Sequence, residues 1–207
     1  MVERGRAIIL NGGSSAGKTS LGKELQNQLA EPYLLMGIDL FWFAMPEKQL
    51  NLQTVDPEYY SWVEEHDNDL PYFRIVPGPI LDKMMLARYR AMAAYLDYGL
   101  NIIADEVIWK KEWLAEGLKV LKPYTVWFVG VYCDDRTLGH REVMRGDRTA
   151  GWGRGSQLYT HRYTEYDIVI DTSVTGPSDH ARKIAAAVTG GDTPTACERM
   201  RSKFGIA

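Results

Sequence analysis

Short apolar runs alternate along the chain with longer stretches in which apolar residues recur at helical spacing. The runs are AIIL (7–10), PYLLMGI (32–38), LNIIA (100–104), YTVWFVGVYC (124–133) and YDIVID (166–171). Most are nearly continuous rather than alternating, which is the pattern of strands covered on both faces in a parallel sheet. Between them the spacing predicts helices over 17–30, 79–98, 110–121, 134–145, 156–164 and 177–188. The segment from Pro79 is the clearest, with proline near its start and Gly99 closing it. Strand and helix in this order predict an α/β domain: a five-stranded parallel sheet with helices on both faces and right-handed crossovers.

Two stretches break the repeat. Residues 40–78 are rich in aromatics and read as an insertion after the second strand, on the acceptor side of any site formed there. Residues 190–207 begin with a Gly-Gly break after the last helix and read as a C-terminal extension: a mobile tail, a short docked helix or vector-derived residues. The domain itself is expected over 1–189. Composition adds little beyond its limits. At 207 residues, 45% hydrophobic and 25% charged, the chain has enough apolar residues for one full core. A net charge of −3 gives no reason to expect nucleic-acid binding driven by bulk charge, although it leaves room for a local basic cluster, and no nucleic-acid partner is expected. The two cysteines, Cys133 and Cys197, match no metal or disulfide pattern and fit a reducing compartment. MVERGR leads into an apolar run too short for a signal peptide or membrane span, so a cytoplasmic location without membrane contact is expected.

The candidate chemistry begins at GGSSAGKT. Gly12-x-x-x-x-Gly17-Lys18-Thr19 matches the Walker A pattern, with a strand before it and an amphipathic helix after it. Glycines let the backbone curl so that successive N–H groups face phosphate oxygens, and the helix start adds its dipole and unpaired amides. Lys18 is placed to reach the outer phosphates and the Thr19 hydroxyl to ligate magnesium, so a nucleoside triphosphate with Mg2+ is the expected ligand. At the carboxyl end of the second strand stands Asp39, where an open α/β sheet exposes its ligand crevice. From spacing alone it serves equally as a base for an acceptor hydroxyl or as a helix cap. Phe41, Trp42, Phe43, Met45 and Pro46 follow and offer an apolar wall suited to an organic acceptor, although core packing is the commoner fate of such aromatics. Asp105-Glu106 ends the third strand, where a Walker B acid would ligate metal or water; either acid could also start a loop or cap a helix. Arg136, His140, Arg141, Arg145, Arg148 and Arg154 crowd one stretch whose glycine-rich half, RTAGWGRG, looks mobile. We expect a lid over 140–156, although a basic run is usually a solvated face.

GGSSAGK, Gly-x-Asp after EP-x-L, R-E-x-x-R-G-D-R-x-A-G and H-x-x-x-E-Y-D-x-x-x-D-T together resemble the chloramphenicol phosphotransferase-like family of P-loop kinases, over about residues 6 to 188. The resemblance implies a P-loop kinase fold and transfer of the γ-phosphate of ATP to a hydroxyl of a small molecule, chloramphenicol or a related antibiotic. It implies that Gly12, Gly13, Ser14, Ser15, Ala16, Gly17, Lys18 and Thr19 bind ATP and Mg2+, and that Asp39 is the general base. Arg145 and Arg148 would contact phosphates from the lid. Arg141 falls in the same motif but could equally pair with Glu142 or Asp147 on the surface. With Lys18, Asp39 and the lid arginines as the catalytic set, Phe41, Trp42, Met45 and Asp105 are the substrate-side candidates, and Thr19 and Asp105 the metal ligands. His161 also matches the family pattern, without an assigned mechanism. Residues 47–79 depart from it, and Trp62, Tyr72 and Phe73 either line the acceptor site or cover the sheet edge. The other readings are a slow nucleotide-binding switch or scaffold, and a kinase of nucleosides or nucleotides.

Overall fold

The computed structural model describes residues 3–50, 55–67, 70–145 and 151–206. In chain order these form β1 (Ala7–Gly12), α1 (Lys18–Gln28), β2 (Tyr33–Leu35), α2 (Ile38–Trp42), β3 (Tyr60–Asp67), β4 (Leu70–Pro77), α3 (Pro79–Asp97), β5 (Asn101–Glu106), α4 (Lys111–Val120), β6 (Val126–Tyr132), α5 (Asp135–Arg145), α6 (Trp152–Thr160), β7 (Ile168–Asp171), α7 (Pro177–Thr189) and α8 (Ala196–Phe204). Five strands make one sheet in the order β2-β5-β1-β6-β7, every neighbour parallel. That is the expected fold.

The continuous apolar runs follow from the two faces of this sheet. Ile8 and Leu10 of β1 face a cluster with Leu21 and Leu25 of α1 and Ile184 and Val188 of α7. Ala7 and Ile9 face the opposite cluster, with Tyr89, Met92 and Leu96 of α3 and Leu114 and Leu118 of α4. Successive strand residues point to opposite faces, so a strand covered on both sides needs apolar residues at every position.

Three elements differ from expectation. The second strand is cut to Tyr33–Leu35, because the chain turns at Gly37 into α2. The aromatic insertion contains an antiparallel hairpin, β3–β4, separate from the main sheet. Its inner residues Tyr60 and Ile75 join a third cluster with Ile38, Met45, Leu81, Met85, Trp113 and Trp152. The helix expected over 156–164 runs from Trp152 to Thr160 instead, so part of the glycine-rich stretch is helical and packed rather than an open loop. Beyond the Gly-Gly break the chain forms the docked helix of the three expected alternatives: Ala196, Cys197 and Met200 of α8 are buried in the second cluster.

Candidate active site

β1 runs straight into the phosphate loop. Ser15 and Gly17 sit at φ 61° and 90°, the left-handed backbone that turns consecutive N–H groups toward one concavity. Ser15 is the non-glycine residue that accepts this conformation among the described residues, and its buried hydroxyl has no hydrogen-bond partner. Lys18 opens α1 and is 94% buried, its exposure being 6%. Its ammonium donates to the Gly13 carbonyl at 2.8 Å and lies 3.4 Å from an Asp105 carboxylate oxygen.

Parallel pairing of β5 with β1 sets Asp105 beside Leu10 and Glu106 beside Asn11. Adjacent strand residues point to opposite faces, so these acids part company. Asp105 turns to the loop, where it accepts a hydrogen bond from the Thr19 hydroxyl at 2.5 Å. Glu106 is fully buried and takes two guanidinium nitrogens of Arg88 at 2.8–3.2 Å, with Tyr89 beside them. Burial, the largest effect, opposes the charge on Arg88, but the Glu106 carboxylate and the Tyr89 oxygen together outweigh it and hold the guanidinium above its ordinary pKa, whereas at Glu106 burial wins and raises the carboxyl. The pair of oxygens on Thr19 and Asp105, hard donors facing a cavity, suits a magnesium ion; Glu106 is committed elsewhere.

A cavity of about 640 Å³ spans the loop and the aromatic segment. One end is lined by Ser14, Ser15, Gly17, Lys18, Thr19, Asp105 and Arg141, the other by Ile38, Trp42, Ile75, Val107, Trp109, Trp152 and Tyr159, and Asp39 also faces it. Asp39 is exposed and sits second in α2. The cap position belongs to Gly37, with no side-chain cap, so the capping reading of Asp39 falls away. Gly37 allows the β2–α2 turn to press on β5: a Cβ there would stand 2.7 Å from the Asp105 carbonyl oxygen. Asp39 and Asp105 therefore share one cavity.

Of the aromatic wall, Trp42 lines the cavity as expected. Met45 does not; it is buried in the cluster under the hairpin. Phe41 packs against two core clusters and is likewise absent from the cavity wall. Phe41 is drawn inward by α2, a short helix laid on the core, and Met45 by the turn that follows it. Trp62 and Phe73 pack edge to face on the hairpin, 5.2 Å between ring centres, and the hairpin residue that reaches the cavity is Ile75.

Arg141 turns inward, not to Glu142. Its guanidinium donates to the Thr172 carbonyl at 2.9 Å, the Thr172 hydroxyl at 3.0 Å and the Ser15 carbonyl at 3.4 Å. Glu142 is buried and accepts the N–H groups of Gly151 and Gly153 instead, fastening the start of α6 to α5. The Arg145 side chain and all of Arg148 lie outside the described residues. Thr172, Thr175, Gly176 and Pro177, between β7 and α7, complete the loop end of the cavity. They were missed from sequence, although the aspartate–threonine closing the H-x-x-x-E-Y-D segment pointed there.

Behind the loop lies a buried polar group. Asn11 accepts from Ile108 N–H at 2.9 Å and the Thr160 hydroxyl at 3.0 Å, and donates to the Thr160 carbonyl at 3.0 Å and Tyr166 hydroxyl at 2.8 Å. One side chain thus ties β1 to the segment leading to Trp109 and to the end of α6. His161 stacks on Tyr132 with ring centres 3.8 Å apart and contacts the Tyr166 hydroxyl through Nδ1. Burial, and then the Lys18 charge, push its pKa down to about 4, so it is neutral at physiological pH.

Residues 5–189 match the profile of the chloramphenicol phosphotransferase-like protein family. A "Putative O-phosphotransferase" of Mycobacterium tuberculosis is 48% identical over 201 residues, which span 97% of this chain and 89% of that protein. Solved structures of similar fold include the tunicamycin resistance protein of Deinococcus radiodurans (TM-score 0.58, 19% identity, 92% of this chain and 98% of the other). Another is an APS kinase of Mycobacterium tuberculosis crystallised with AMPPNP and APS (TM-score 0.61, 14% identity, 89% and 98%). A third is a shikimate kinase of Acinetobacter baumannii (TM-score 0.54, 14% identity, 91% and 95%). The chain belongs to the chloramphenicol phosphotransferase-like family and is a phosphotransferase of P-loop kinase fold. No helix among the described residues is long and apolar enough to cross a membrane.

Proposed function

We propose that this member of the chloramphenicol phosphotransferase-like family transfers the γ-phosphate of ATP to a hydroxyl of an uncharged, largely apolar small molecule. The observation that carries the reading is the single cavity with two chemically different ends: ammonium, guanidinium and main-chain amides at one, aromatic and aliphatic side chains at the other, and Asp39 facing the same space. A hydrolase needs no apolar chamber beside its phosphate loop; an organic acceptor does. Among the described residues lining the apolar end there is no lysine or arginine, which disfavours phosphate- or carboxylate-bearing acceptors such as nucleotides. Chloramphenicol satisfies these conditions, as would other neutral alcohols.

In this scheme the loop amides and Lys18 hold the triphosphate and Arg141 adds positive charge beside it; Arg145 and Arg148 are assigned to phosphate contact from the family pattern alone. Thr19 and Asp105 would hold Mg2+, whose charge when bound offsets that of the phosphate oxygens. Asp39 accepts the proton of the acceptor hydroxyl as its oxygen bonds to the γ-phosphorus and the bond to the ADP bridging oxygen breaks. Trp42, Ile75, Trp109 and Trp152 orient the acceptor and keep water from competing with it.

The experiment is an ADP-release screen over chloramphenicol, other hydroxylated antibiotics, sugars and nucleosides, with mass spectrometry locating the phosphate. Asp39→Ala should lower turnover of the responding alcohol by about a hundredfold to ten-thousandfold and leave ATP affinity within about twofold. A phosphorylated carboxylate or nucleotide, or an Asp39→Ala enzyme with wild-type turnover, would sink the scheme.

A further inference from the structure

Helix α6 is wedged between the phosphate loop and the β3–β4 hairpin, and its sequence separates into faces. Trp152, Ser156 and Tyr159 line the cavity. Gly153 lies against the loop, where a Cβ would stand 2.8 Å from the Ser14 carbonyl oxygen, and the Ser156 hydroxyl accepts the Ser14 N–H at 2.7 Å. Gly155 lies against the hairpin, where a Cβ would stand 2.3 Å from the Phe73 carbonyl oxygen. Backbone meets backbone on both sides, so a shift of either neighbour is passed to the other.

Arg154 leaves this helix sideways. Its Nη2 donates to the Asp67 carboxylate at 2.7 Å and to the Asp67 carbonyl at 3.0 Å, and its Nε donates to the Asp135 carboxylate at 3.1 Å. Asp67 ends β3, and Asp135 begins α5, the helix that carries Arg141. The arginine side chain is only 12% exposed. Among the described residues the hairpin joins no larger sheet, and one of its residues, Ile75, forms part of the cavity wall. Its base is fixed in the third core cluster through Tyr60 and Ile75, whereas Glu64 and His66 farther out are well exposed. A two-stranded ribbon is marginal alone and needs outside contacts to keep one position.

We infer that Arg154 is a positioning residue that clamps the acceptor-side hairpin to the phosphate-side helices, and that it does not contact phosphate. A guanidinium is suited to bridging two carboxylates that lie on separate elements, which an ammonium does less well. The clamp fixes where Ile75 stands relative to the loop and so sets the width of the apolar end. The inference deepens the kinase reading, because the wall it holds is the proposed acceptor wall, yet the geometry of the clamp stands without that reading.

The test is amide hydrogen exchange on the full chain, with and without Mg-ADP, alongside calorimetric titration of Mg-ADP. Arg154→Gln should speed exchange across 60–67 and 71–76 by about tenfold while changing the Mg-ADP dissociation constant by less than about twofold. Arg154→Lys, which keeps one ion pair, should restore part of the protection. Thermal unfolding of both variants checks that the core stays folded. Hairpin exchange within about twofold of wild type, or equal loss in the Gln and Lys variants, overturns the clamp. So does an Mg-ADP affinity about tenfold weaker in Arg154→Gln, which would make Arg154 a phosphate ligand. Failure of the wild-type protein to bind Mg-ADP counts against the kinase reading and leaves the exchange result to decide the clamp.

Discussion

Asp105 and Glu106 are neighbours of the same charge, and the structure gives them opposite kinds of importance, which a pair of amide substitutions separates. Glu106→Gln keeps the shape and removes the charge. Arg88 would then remain fully buried, with the Met85 carbonyl and the Tyr89 hydroxyl as neutral partners for its guanidinium. Removing one member of a buried ion pair costs about 3–5 kcal/mol, because the other charge stays uncompensated in a low dielectric. For a domain of this size that lowers the melting temperature on the order of 10 °C. Asp105 is 16% exposed, opens on the cavity and lies near the Lys18 ammonium. Asp105→Asn keeps an acceptor for the Thr19 hydroxyl, and the Lys18 ammonium keeps the Gly13 carbonyl and borders the cavity, so the stability cost should be smaller than for Glu106→Gln, while the response of turnover to Mg2+ concentration shifts strongly. Urea unfolding at neutral pH measures the first quantity, and a magnesium titration of ADP release the second. Replacing the whole pair, Arg88→Met with Glu106→Leu, should recover most of the stability lost in Glu106→Gln. If Glu106→Gln is as stable as wild type and alters the magnesium response, while Asp105→Asn unfolds readily, the two faces of β5 have been assigned the wrong way round.

Other expectations follow from groups away from the phosphate loop. His161, held down to about pKa 4, is neutral in the folded chain, whereas the unfolded chain takes up its proton from about pH 6.5 downward. Its contribution is complete above pH 6.5 and falls as pH drops toward 4, by at most on the order of 3 kcal/mol; His161→Phe should flatten the stability–pH profile in that window, and an unchanged slope would refute the reasoning. Met200 of α8 is fully buried, so Met200→Ala should cost about 2–5 kcal/mol in urea unfolding; a cost near zero would mean that α8 does not dock in solution. Cys133 and Cys197 are buried, with burial pushing both thiols up, Cys197 to about 12. A thiol reagent should therefore label neither in the native protein at neutral pH, with Cys197 reacting first as denaturant undocks α8; rapid native labelling of Cys133 would contradict its place in the first cluster.

The readable parts of the sequence were those whose chemistry is local. A phosphate loop must present glycines, lysine and threonine within eight consecutive residues, and a doubly covered strand must be apolar at successive positions, so both announce themselves. The hairpin did not, because its apolar residues serve a small local cluster and its outer half runs Val63, Glu64, Glu65 and His66 with no clean alternation of apolar and polar residues. A turn signal was present in Asp67-Asn68-Asp69. Helix α6 was placed four residues too late for the opposite reason. Glycine reads as a loop former, yet Gly153 and Gly155 are there because two backbones come too close for any side chain, which only the tertiary arrangement reveals. Met45 and Phe41 looked like acceptor wall for want of knowing which way a five-residue helix and the turn after it would roll.

The same distinction explains why phosphate chemistry was easier to infer than acceptor identity. The phosphate end is built from one continuous segment and one neighbouring strand. The apolar end borrows Ile38 and Trp42 from α2, Ile75 from the hairpin, Trp109 from the segment after β5, and Trp152 and Tyr159 from α6. Asn11 holds several of these together from a position that no motif marks: its amide joins the strand before the phosphate loop, the segment leading to Trp109 and the end of α6. A buried, fully partnered amide of this kind is costly to leave half-satisfied, so it holds the phosphate loop, the segment leading to Trp109 and the end of α6 in one relative placement. On the proposed reading, selectivity among acceptors resides in the relative placement of several elements, which Asn11 and the inferred Arg154 clamp hold, rather than in any short run of residues beside Asp39.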